Sequence, residues 1–173
     1  LTQAFEVVAS RLPAATAAAV AAALARGAGS TGMVGGQVGD LAAEGKPLSV
    51  EEVLAIDRRK TAALFAASFQ CGACCAGAGE DVVTRLATIG ERLGIAFQIV
   101  DDLLDLTATP EAMGKATGKD AARGKATLPS LLGRDVAFAR AQEQSDAAIV
   151  LARGLPRARL IEALIGTMLG RTN

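Results

Sequence analysis

Residues 97–106, Phe97-Gln98-Ile99-Val100-Asp101-Asp102-Leu103-Leu104-Asp105-Leu106, set three carboxylates into an otherwise apolar helical pattern, which constrains the fold more than any other stretch of the chain. At about 100° per residue, with Asp101 at zero, Asp105 falls at about 40°, Gln98 at about 60° and Asp102 at about 100°. The four polar groups share one stripe. Ile95, Ala96, Phe97, Ile99, Val100, Leu103, Leu104 and Leu106 cover most of the remaining circumference. A helix apolar on that much of its surface is packed by neighbours on most sides, so a solvated acidic face on a surface helix would leave those side chains uncovered. The stripe must then face a wet cavity or an ion, because three carboxylates within about one turn repel one another and are costly to desolvate unpaired. A bound cation is the economical solution. The chain has no histidine, and carboxylate, water and substrate phosphate form the oxygen set that suits Mg2+. The alternating acidic ligands and central glycine of an EF-hand are absent.

The 173 residues are 51% hydrophobic, with 18 basic and 18 acidic side chains, which suits a single domain over 1–173 with a sizeable core. Zero net charge argues against a nucleic-acid binder, and the lack of Trp and Tyr removes stacking platforms. Abundant alanine and few β-branched runs point to helix nearly throughout. No run approaches the roughly 18 to 20 apolar residues of a membrane span, and the first residues lack the layout of a signal peptide. The expectation is a cytoplasmic protein. Cys71, Cys74 and Cys75 read as small core residues rather than a metal centre, since zinc and iron–sulfur sites generally want four ligands; reduced thiols fit the same compartment. Leu1 is not an initiator Met, and the opening residues read as helix interior without a cap, as if a longer protein preceded them.

The pattern predicts a first helix to about Leu12, broken by Pro13, an Ala-rich helix over Ala14–Arg26, and a small-residue helix over Thr31–Glu44. Gly45-Lys46-Pro47 is a turn, and Ser49 followed by Glu51 and Glu52 starts a helix that runs to the cysteines. After Gly77 and Gly79 a long helix carries the acidic stripe to about Thr107. An extended loop spans Thr109 to Leu128, and two or three helices follow, with breaks at Gly133 and Gly154-Leu155-Pro156. The architecture expected is an all-α bundle without an internal repeat or linker.

Lysines supply what the acidic stripe lacks. Lys115, Lys119, Arg123 and Lys125 lie on the loop after the acidic helix, and Lys60 comes from an earlier helix. Ammonium groups together with carboxylate-held magnesium would neutralise a diphosphate. A Walker-type phosphate loop is excluded, because Gly114-Lys115-Ala116-Thr117-Gly118-Lys119-Asp120 has the wrong glycine spacing and Asp120 stands where Ser or Thr should bind the metal. Gln37 and Asp40, three apart on one helical face beside glycines, read either as a polar seam or as ligand-facing groups.

Taken in order, Gly36-Gln37-Val38-Gly39-Asp40, Arg59-Lys60-Thr61, Phe97-Gln98 through Asp105, Gly114-Lys115 and Gly124-Lys125-Ala126-Thr127-Leu128-Pro129 resemble the trans-prenyl diphosphate synthases, in particular the bacterial farnesyl and geranylgeranyl type. The acidic element resembles that family's second aspartate-rich motif. The resemblance implies a helical bundle of the isoprenoid synthase type around a central cavity. It also implies head-to-tail condensation of isopentenyl diphosphate with an allylic diphosphate, and a homodimer. Carried over by position, Asp101 is the principal Mg2+ ligand, with Asp102 and Asp105 as further or water-mediated ligands. Lys60 and Lys115 grip the allylic diphosphate, Thr61 and Gln98 line the same site, Lys125 lies close to the substrates, and Gln37 and Asp40 face the cavity. The family's first aspartate-rich motif and the basic residues for isopentenyl diphosphate lie upstream of everything in this chain, so the expectation is that an N-terminal part is missing and that these residues alone do not catalyse condensation. Two alternatives stay open: a non-catalytic regulatory subunit of a heteromeric synthase, and a cyclase or head-to-head synthase on the same fold.

Overall fold

A computed structural model describes residues 1–107 and 125–170. Among these the chain is helical without a strand: α1 (Thr2–Arg11), α2 (Ala14–Ala28), α3 (Met33–Ala43), α4 (Val50–Asp57), a π-helical turn (Arg58–Ala62), α5 (Ala63–Cys75), α6 (Glu80–Thr107), α7 (Leu128–Leu132), α8 (Arg134–Ala152) and α9 (Ala158–Leu169). The all-α expectation is met. Helix boundaries fall where local chemistry puts them. Pro13 separates α1 from α2. Ser49 caps α4 by a reciprocal pair, its Oγ accepting from the Glu52 amide at 3.2 Å while Glu52 accepts from the Ser49 amide at 2.8 Å. Thr127 and Ser130 cap α7 in the same manner.

The long α6 lies in the middle, with α5 packed along one side and α8 along the other. Ile89, Leu93, Ile95, Ala96, Ile99, Val100 and Leu103 of α6 are buried, as the apolar periodicity requires. Leu106 departs from it and stands exposed at the helix end. α8 meets α6 through Ala137, Ala141, Ser145, Ala148 and Ala152, a seam of small side chains that lets the two helices approach closely. Arg85 of α6 donates to the carbonyls of Leu151 and Arg153, both at 2.7 Å, satisfying orphan acceptors at the end of α8. The cysteines are less buried than expected of core residues: Cys71 and Cys74 are half-buried and Cys75 is exposed.

The π-helical turn was not foreseeable from propensity, since Arg58-Arg59-Lys60-Thr61-Ala62 is compatible with an ordinary helix. It is clasped from two sides by glycines. A Cβ on Gly36 of α3 would overlap the backbone N and Cα of Lys60, and a Cβ on Gly94 of α6 would overlap Ala62. Backbone-to-backbone contact is what these two positions permit, and it fixes the height of the turn between α3 and α6. Gly94→Ala is therefore expected to lower the unfolding free energy by about 2 kcal/mol or more, the cost of overpacking a site that cannot yield; equilibrium urea denaturation measures it, and an unchanged midpoint would remove Gly94 from this role.

Candidate active site

The π-helical turn projects Lys60 and Thr61 toward opposite neighbours. Such turns widen a helix by one residue and are frequent at functional sites. Thr61 Oγ1 donates to Gln98 Oε1 at 2.6 Å, and Gln98 Nε2 donates onward to Asp102 Oδ1 at 2.9 Å. The second bond joins residues four apart on α6, as helical spacing allows. In the other direction Lys60 Nζ donates to Asp40 Oδ2 of α3 at 2.5 Å, and Lys125 Nζ lies 3.8 Å from Asp40 Oδ1. Four segments distant in sequence thus meet at one end of α6.

The structure brings together Asp40, Lys60, Thr61, Gln98, Asp102 and Lys125 of the expected site. Gln37 stands exposed on α3 and hydrogen-bonds to none of them. Lys115 lies outside the described residues, as do Lys119 and Arg123. The acidic stripe is divided. Asp102 is buried at 4% exposure, Asp105 is half-buried and Asp101 is exposed. The roughly 100° between Asp101 and Asp102 is enough to turn one inward under the lysines and leave the other on the open rim. Among the described residues no group of three or more His, Cys, Asp or Glu side chains is disposed to hold a metal ion by itself. Asp101 and Asp105, one turn apart at the rim, offer hard oxygen donors of the kind that bind Mg2+ through one or two carboxylates, the remaining positions going to water and phosphate.

Asp57, the last residue of α4, is a member of this cluster that reading the sequence missed. It is 5% exposed, and its Oδ2 has no hydrogen-bond partner among the described residues. Burial pushes its carboxyl up to about 7; repulsion by Asp102 and Asp40 adds to that, and attraction by Lys125 and Lys60 offsets part of it. The signal was present: Val53 is buried on the same face one turn earlier, so Asp57 is a carboxyl at a core position.

Residues 1–158 match a family model described as Polyprenyl synthetase. The chain belongs to that family. It is 46% identical over 105 residues to a farnesyl diphosphate synthase of Bacillus subtilis, covering 61% of this chain and 36% of that protein. It is 40% identical over 146 residues to a geranylgeranyl diphosphate synthase of Cyanophora paradoxa, covering 82% and 49%. A solved geranyltransferase of Helicobacter pylori, complexed with magnesium and isoprenyl diphosphate, superposes with a TM-score of 0.82 at 28% identity, over 98% of this chain and 56% of that one. The chain spans about half or less of the length of these curated relatives.

The raised pKa of Asp57 makes stability depend on pH. The folded state holds its proton to about pH 7, whereas an unfolded aspartate releases it near about pH 4. Its stabilising share is therefore full below about pH 4 and is lost as pH rises to about 7. The unfolding free energy of the protein relative to Asp57→Asn should fall by up to a few kcal/mol across that window. Parallel denaturation curves at several pH values measure it; a constant difference would mean that Asp57 is not desolvated.

Proposed function

We propose that the protein is a magnesium-dependent prenyltransferase that condenses isopentenyl diphosphate with an allylic diphosphate, head to tail, to give farnesyl or geranylgeranyl diphosphate. The observation that carries the reading is the meeting of Lys60 and Lys125 at Asp40, beside the Thr61–Gln98–Asp102 chain at one end of α6. The names of the farnesyl and geranylgeranyl diphosphate synthases among its relatives support it. Asp101 and Asp105 would hold Mg2+, with Asp102 kept in register by Gln98. When bound, the metal supplies positive charge to a departing diphosphate.

This chain's side chains supply part of what the remaining steps need. Lys60 and Lys125 bind the diphosphate as fixed positive charges, with Lys115 in the same role. Thr61, donating to Gln98, holds the π-helical turn at a constant distance from α6. The allylic carbon–oxygen bond breaks and diphosphate leaves, the double bond of isopentenyl diphosphate forms the new carbon–carbon bond to the resulting cation, and the condensed cation gives a proton to the liberated diphosphate. The cation survives only where water is excluded. Phe65, Leu93 and Phe97 border an apolar cavity of about 210 Å³, a surrounding that suits hydrocarbon.

A homodimer and a cytoplasmic location belong to the same proposal. Val34, Val38 and Leu41 support the first, forming an exposed apolar stripe on α3 at 50%, 62% and 56% exposure. No helix among the described residues is long and apolar enough to cross a membrane.

The test is an assay of the protein in its full natural length with labelled isopentenyl diphosphate and several allylic primers, reading product size. Asp101→Ala is expected to slow the chemical step by about a hundredfold or more, and Lys60→Ala to raise KM for the allylic primer. Near-normal turnover of Asp101→Ala, or product formed equally without isopentenyl diphosphate, would contradict the proposal.

A further inference from the structure

Asp57 is used by neither the metal nor the diphosphate in the scheme above, yet both lysines act on its carboxyl. It lines a cavity of about 10 Å³, space for about one water molecule. The titratable groups that face it come from every element packed on that point: Asp40 of α3, Lys60 of the π-helical turn, Asp102 of α6 and Lys125 ahead of α7. Two ammonium groups are balanced there by Asp40 and Asp102, and Asp57 is a third carboxyl facing the same pair. A buried carboxyl with an orphaned oxygen costs stability, so an amide or an apolar side chain would serve the fold better. The position gains instead a negative charge directed at the two groups that must let an anion go.

We infer that Asp57 is a positioning residue acting through Lys60 and Lys125: it competes with a bound diphosphate for the two ammonium groups, weakens anion retention and returns the lysines to Asp40 when the anion leaves. The inference rests on the proposed reading of this cluster as a diphosphate site. Its chemistry follows from the reaction, since each condensation liberates one diphosphate and a longer allylic diphosphate. A clamp of cations alone would release both slowly. Interactions that bind ground state and transition state alike add nothing to turnover. Asp57 is 5% exposed, so it opposes the anion through its charge and not by occupying solvent-accessible space.

Titration calorimetry of the protein with inorganic pyrophosphate, with and without Mg2+, tests this at about pH 8, where a carboxyl that titrates at about 7 is mostly ionised. Asp57→Asn is expected to bind pyrophosphate roughly three- to thirtyfold more tightly, the gain shrinking as salt is raised. Lys60→Ala should shift affinity the other way. In the full-length enzyme Asp57→Asn should lower KM for the allylic diphosphate and lower kcat with it, a split that loss of structure alone does not produce. Unchanged or weaker pyrophosphate binding by a folded Asp57→Asn overturns the inference while leaving the diphosphate site intact. Failure of the unaltered protein to bind pyrophosphate overturns the site and the inference together. Asp57→Ser is the second variant, and if neither it nor Asp57→Asn folds, Asp57 is structural and the inference is wrong.

Discussion

Backbone contact across two glycines is the constraint from which the rest of the site follows. Gly36 lets α3 lie directly on the backbone of Lys60, and Gly94 lets α6 lie directly on Ala62. With side chains absent at both points, the π-helical turn is held at a fixed height between two helices. Its extra residue then turns Lys60 toward α3 and Thr61 toward α6. The Lys60–Asp40 and Thr61–Gln98 bonds exist only because that spacing is set. Steric fit comes first, and the polar contacts refine it.

Electrostatics explain the division of the acidic stripe. Asp102 can be buried because Gln98 donates to it and because Lys60 and Lys125 stand nearby; a lone carboxylate at that depth would shed its charge. Asp57, with less hydrogen-bond support, is pushed up to about 7 in the same surroundings. Asp101 is exposed and Asp105 half-buried, so both lie farther toward solvent than Asp102. Two ammonium groups and three carboxyls thus share the interior, and two further carboxyls stand nearer solvent.

Much of this was legible in the sequence because it depends on local rules. Pro13, the Ser49 and Glu52 pair, Gly133 and the 3.6-residue period of α6 predict helix ends and the central helix to within a few residues. The contacts seen are Lys60 with Asp40 and Thr61 with Gln98, which in turn holds Asp102. The unseen parts are those fixed by tertiary packing. Nothing in residues 58–62 discloses a π-helical turn, because the turn answers to Gly36 and Gly94 on other helices. Periodicity gives the angle between Asp101 and Asp102 but not which of them has a neighbour overhead. Asp57 was masked by the charged residues that follow it, although its phase with Val53 marked it as buried.

On the proposed function, the clasped π-helical turn and the acidic end of α6 form a single receptor for a metal-bound diphosphate. The most direct measurement is a crystal structure of the protein with Mg2+ and an unreactive allylic diphosphate analogue. The account predicts metal bound through Asp101 and Asp105, with phosphate oxygens within hydrogen-bond distance of Lys60 Nζ. A diphosphate bound away from α6, with Lys60 still paired to Asp40, would contradict it.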